Sequence, residues 1–198
     1  MSNFEEIRFA GKITASVTHE LRNVLAVIRE TSGLMQDIMA LQGQEKETDK
    51  EERIQNGFKA ISDQVQRGSQ LIDHLNSFAH SSDHPEESID IQEAAVDFFK
   101  LTERLCRLRR ITLAPETKEK IIHIRASKFY FYAALFQALE LCLNLPEDSL
   151  ISVSFTEGPE VCFHGSGLFS ELNPRKLSGN FHLTGDASSI RIKHNSDS

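Results

Sequence analysis

A chain of 198 residues with 39% hydrophobic content is long enough for one ordinary domain or two small ones and can bury a core, which excludes a disordered protein. Its formal net charge of -7 argues against a nucleic-acid partner, because a phosphate backbone calls for a concentrated basic surface. No apolar run approaches the length of a membrane span, and Met1-Ser2-Asn3-Phe4-Glu5-Glu6 lacks the basic-then-apolar layout of a signal peptide. A cytoplasmic protein without membrane insertion is therefore expected.

From Phe4 to about Leu41 there is no proline, and Ala10, Ile13, Val17, Leu21, Val24, Ile28 and Met35 recur at helical spacing. The pattern predicts a long amphipathic helix, with Gly11 and Gly33 as its weak points. The segment from Gln42 to Glu52 is charged and aperiodic, and reads as a turn leading into another helix. Ile54, Phe58, Ile61, Val65, Ile72, Leu75 and Phe78 mark that second helix, which the Ser81-Ser82-Asp83-His84-Pro85 breaker ends. A short link favours antiparallel neighbours, and a lone hairpin leaves each apolar stripe half covered. Dimerisation into a four-helix bundle would cover both.

After Pro85 the pattern becomes mixed α/β. A helix is expected from about Ile91 to Arg110, with Ala94, Ala95, Phe98, Leu101 and Leu105 facing inward. Strands are expected at 111–113, 120–124, 150–155, 160–163 and 189–193, from β-branched content and flanking turn residues. An aromatic-rich helix, Phe129, Tyr130, Phe131, Tyr132 and Phe136 among its residues, spans roughly Lys128 to Asn144; aromatics at this spacing read as core. The fold class expected is α+β. Residues 1–84 form the helical hairpin of a dimeric bundle, and residues 85–198 a small α/β sandwich.

At about 100° per residue, the apolar residues of the first helix lie opposite His19, which should face solvent. Lys12, Ala15, Asn23, Ala26 and Glu30 share its face. The two alanines leave room for another protein to approach closely. Imidazole titrates near neutrality, so it can offer a lone pair to phosphorus. Glu20, next in sequence, could orient the ring or relay its proton, and the Asn23 amide, one turn on, could orient a water. Cys106, Cys142 and Cys162 stand too far apart in sequence for a zinc spacing or a disulfide framework. His74, His80 and His84 lack partners at ligand spacing, so a solvated helix end is expected there and no metal. Arg104, Arg107, Arg109 and Arg110 could meet a phosphate or an acidic partner, but a solvated helix terminus complementing the dipole is the expectation.

The run Ala15-Ser16-Val17-Thr18-His19-Glu20-Leu21-Arg22-Asn23-Val24-Leu25 closely resembles the H box of sensor histidine kinases, usually Ser-His-Glu-Leu-Arg-(Asn or Thr)-Pro-Leu. Val24 replaces the proline and should give a straighter helix. Residues 67–75 (Arg67 to Leu75) resemble the family's second dimerisation helix, and 91–113 and 126–155 more weakly resemble parts of its ATP-binding domain. The departures lie in that domain. The N-box asparagines match Phe136 and Glu140, and the Asp-x-Gly-x-Gly motif matches Phe163-His164-Gly165-Ser166-Gly167, without the aspartate. Only 31 residues follow Gly167, too few for a normal ATP lid, a second glycine box and closing strands.

The resemblance therefore implies a histidine phosphotransferase on a degenerate kinase fold. His19, Glu20 and Asn23 would be catalytic, and Lys12, Ala15, Arg22, Ala26 and Glu30 would meet the partner. That partner would be the receiver domain of a response regulator or a hybrid histidine kinase. No cofactor would be held stably, ATP binding is not expected, and magnesium would come from the receiver. The alternatives are an autokinase with a divergent ATP site, a receiver phosphatase using Glu20 and Asn23, and a non-catalytic binding regulator.

Overall fold

The computed structural model of the protein describes residues 3–40, 47–116, 121–156, 158–165, 172–186 and 188–195. Two long helices come first, α1 (Asn3–Ala40) and α2 (Glu47–His80). They run antiparallel: Phe9 meets Phe78 edge-on at 5.4 Å, while Gly68 lies beside Val24 and Gly57 beside Met35. α1 continues unbroken through Val24, where no proline interrupts its hydrogen bonds. The expected link between the helices falls largely on 41–46, outside the described residues.

The stripe expected on α1 is the one that packs. Ile13, Val17, Val24 and Met35 are buried, and Ala10, Leu21 and Ile28 are half-buried. On α2 the expectation holds at Phe78 but not along its whole length, because Phe58, Val65 and Ile72 remain exposed at 57%, 53% and 48%. A period of seven separates these three from the strip that faces α1.

The α/β part begins with β1 (Glu87–Asp90), which pairs antiparallel with β3 (His123–Ala126) through Ile89 opposite Ile124. Between them lie α3 (Ile91–Leu108) and β2 (Thr112–Pro115). Asp90 starts α3 by accepting from the Gln92 and Glu93 amides at 2.9 and 3.2 Å. α4 (Lys128–Cys142) follows, and then β4 (Leu150–Phe155), β5 (Glu160–Gly165), β6 (Leu172–Lys176), β7 (Phe181–Gly185) and β8 (Ser189–His194). The larger sheet has the order β2-β4-β5-β8-β7-β6, with β2 parallel to β4 and every other pair antiparallel.

Three strands were not expected. β1 is short and acidic, with Ile89 alone buried, and β6 carries Pro174, which an edge strand tolerates. β7 does alternate, with Phe181 and Leu183 inward and His182 and Thr184 outward, so its signal was present. β3 is displaced toward the C-terminus from the expected 120–124; Lys120 lies outside the described residues. α3 and α4 each stop two residues short of the expected ends.

The molecule has three layers. The sheet turns Ile151, Val153, Phe155, Phe163, Phe181, Leu183, Ile190 and Ile192 toward α3 and α4, and the helical hairpin covers the other side of those two helices. α4 therefore has to be apolar all round. Phe131 reaches the sheet and meets Phe181 at 5.6 Å, while Tyr132 and Phe136 point back to Phe78 and Phe9. One continuous core runs from Phe9, Ile13 and Val17 of the hairpin through α3 and α4 to the sheet. Cys106, Cys142 and Cys162 are buried, and burial raises the thiol pKa of Cys106 to about 11 and of Cys142 to about 12.

Candidate functional site

His19 is exposed in the middle of α1. The same helical turn that buries Val17 and Val24 sends residue 19 to the opposite side. Ala15, Arg22, Asn23 and Glu30 are also exposed around it, and Ala26 is half-buried. Lys12 departs from this set. Its ammonium binds the Glu140 carboxylate and lies 5.4 Å from the Phe136 ring centroid, so it is committed to α4 within the chain.

Glu20 also departs from expectation. One position round the helix from His19, it enters the junction of α1, α2 and α3 and is only 6% exposed. Three guanidinium groups surround its carboxylate: Arg67 Nη2 donates to Oε1 at 2.5 Å, Arg107 Nη2 donates to Oε2 at 2.7 Å, and Arg104 Nε lies 4.0 Å from Oε2. The Asn23 amide also donates to Oε2, at 3.5 Å. Burial alone would raise the Glu20 pKa, but the Arg107 hydrogen bond and the charges of Arg107 and Arg67 hold it below the ordinary carboxylate value. The carboxylate thus remains ionised and ties Asn23, on the His19 face, to arginines of two other helices. It is engaged by arginines and by the Asn23 amide.

Two of the four arginines read as a solvated helix end are therefore partly buried participants. Arg104 and Arg107, three apart on α3, share the face that meets α1. Arg110 instead pairs with Glu147 and Asp148 at the surface. A charged residue on the margin of an apolar stripe, matched by two arginines on another amphipathic helix, was the signal available; only the packing could match them.

At the other end of the interface, Phe136 and Glu140, the residues matched to an N box by resemblance, face α1. Phe136 is 4% exposed and its ring centroid lies 5.1 Å from that of Phe9. Glu140 holds Lys12, with Arg8 at 4.0 Å. A cleft of about 200 Å³ is left there, bordered by Lys12, Phe136 and Glu140. Phe163, in the position of the missing aspartate, is fully buried and meets Phe99 edge-on at 6.0 Å. Gly165 ends β5, while Ser166 and Gly167 lie outside the described residues. His80 binds Asp83 at 2.7 Å and His74 lies 3.9 Å from Asp97; no group of metal-ligating side chains occurs among the described residues. No described helix is long and apolar enough to cross a membrane.

No family model matches the chain. No curated protein matches it either. Similar solved structures include the Acinetobacter baumannii histidine kinase AdeS, at 12% identity and a TM-score of 0.42, covering 91% of this chain and 98% of that one. A histidine kinase from Burkholderia phymatum STM815 is 11% identical, covers 97% of each chain and gives 0.38. The histidine kinase ThkA in complex with the response regulator protein TrrA is 17% identical, with 96% of this chain and 63% of that one covered and a TM-score of 0.40. At these values the likeness concerns the general course of the backbone.

Proposed function

We propose that the protein is a histidine phosphotransferase of two-component signalling, accepting a phosphoryl group on His19 from the aspartyl phosphate of a receiver domain and passing it to a second receiver. The resemblance of residues 15–25 to an H box supplies the chemistry, and the exposure of His19 leaves the ring open to a partner. The observation that favours transfer over autophosphorylation is the packing of Phe136 and Glu140 on Phe9 and Lys12. Side chains at the positions that would hold nucleotide and magnesium are occupied by α1. The remaining cleft, about 200 Å³, is below the usual range for ligand pockets, roughly 300 to 1,000 Å³.

In the transfer, a neutral ring nitrogen of His19 attacks phosphorus as the bond to the receiver's aspartate oxygen breaks, and the carboxylate leaves with the electron pair. A receiver would supply the magnesium that offsets charge on the phosphoryl oxygens, and this chain would contribute position and electrostatics. Asn23, exposed and one turn from His19, would contact the phosphoryl group or orient a water toward it.

Incubation with labelled ATP and magnesium, alone and then with a phosphorylated receiver, tests the assignment. Acid-labile label should arrive only from the receiver and vanish in His19→Ala. Label taken directly from ATP would replace transfer by kinase activity, the activity named for the similar structures. A His19→Gln variant that still dephosphorylates the receiver, while Asn23→Ala does not, would make hydrolysis the activity.

A further inference from the structure

A buried carboxylate needs one well-placed cation to offset its desolvation, yet Glu20 has three guanidinium groups around it. Glu103, exposed on α3, is the second anion acting on Arg107, while Lys100 is drawn to Asp97 at 3.4 Å. Three arginines thus face two carboxylates, and one positive charge in the cluster is uncompensated. Arg107 is also half-exposed, at 50%, and so can turn toward solvent without leaving a sealed core. Glu20 follows His19 in the chain, and Asn23, one turn on from His19, donates to Glu20 at 3.5 Å. Ser16, one turn before Glu20, borders the same small cleft and its buried hydroxyl has no partner, so the cluster retains unused hydrogen-bonding capacity.

From this geometry we infer that Arg107, supported by Arg104, is a positioning cation for the phosphoryl group carried by His19, swinging from Glu20 to the phosphoryl oxygens while Arg67 keeps the buried carboxylate paired. This rests on His19 being the phosphorylated residue and adds which side chains of this chain neutralise the new charge. A phosphoryl dianion beside Glu20 would otherwise meet a like charge. The surplus guanidinium converts that repulsion into a charge-assisted hydrogen bond, and Arg67 prevents the exchange from leaving Glu20 bare.

The test uses the full chain phosphorylated chemically with phosphoramidate, so that no receiver needs to be known. Mass spectrometry locates the phosphoryl group, and phosphorus NMR follows its second ionisation with pH in wild type, Arg107→Gln, Arg107→Lys and Arg104→Gln. A neighbouring cation favours the dianion, so Arg107→Gln should raise the midpoint by about 0.5 to 1 pH unit, Arg107→Lys should restore most of it, and Arg104→Gln should give a smaller rise. A purely structural role would change melting temperature and leave this midpoint unmoved. Identical midpoints in wild type and both glutamine variants overturn the inference while His19 remains the acceptor. Failure of His19 to accept the group, with other histidines labelled, overturns the inference together with the assignment of His19.

Discussion

At the residue scale, residues 15–25 separate into one exposed imidazole, His19, the proposed phosphoryl acceptor, and one buried anchor, Glu20. His19→Ala removes a side chain that supports no packing, so label from a phosphorylated receiver should disappear while the melting temperature stays within a degree or so of wild type. Glu20→Ala should behave differently. It leaves the partly buried Arg104 and two half-exposed arginines without their shared acceptor, and urea unfolding should show a loss of about 1–3 kcal/mol. The pH dependence has a definite sign. A carboxyl whose folded pKa lies below its ordinary value of 4.5 adds stability above that pH and loses it as pH falls through the folded value. Melting curves of wild type and Glu20→Gln should therefore differ at pH 7 and draw together as the pH falls below 4.5.

At the element scale, α4 is decided by its two-sided burial. Phe136→Ala would empty space between α1 and α4 and should cost about 3–5 kcal/mol by denaturant unfolding. Phe136→Asn, which recreates the residue type of the N box, should destabilise similarly without gaining nucleotide binding by calorimetry, because Phe9 and the Lys12–Glu140 pair still cover the face. The turn before β7 has a separate constraint. Gly179 has φ 68°, and a Cβ there would lie 2.7 Å from the Tyr130 Cβ, so Gly179→Ala should cost about 1–3 kcal/mol. The aromatic spacing of α4 made it legible as core. The β6–β7 hairpin was not expected because its edge strand contains proline, although the alternation of β7 was there to read.

For the whole molecule, the unpaired stripe of α2 matters most. Phe58, Val65 and Ile72 repeat every seven residues and stay exposed, and Leu25, Leu34 and Met39 of α1 are exposed as well. Val24, Met35 and Ile38 bury outside the core shared with α3 and α4, so the half of the hairpin toward its turn has no third layer. The homodimer expected from the sequence would bring these stripes together in a four-helix bundle with two His19 sites. Light scattering should give twice the chain mass for wild type, and Val65→Glu with Ile72→Glu should reduce it to one chain. A wild-type monomer would leave the bundle without support.

The sequence by itself determined the two long helices, the outward placement of His19 and most strands of the α/β part, because these depend on short-range periodicity and on residues within a turn of one another. It also carries the H-box likeness, and the resemblance that sets Phe136 and Glu140 where N-box asparagines would stand. Only the tertiary structure decided that Glu20 is a buried anchor, that Arg104 and Arg107 are its partners, and that Lys12 belongs to α4. Those contacts join residues 87 and 128 positions apart, and no local pattern specifies which charged margins of two amphipathic helices will meet. Their pairing follows from how the hairpin packs across α3 and α4, where burial of the apolar faces brings the flanking charges into register.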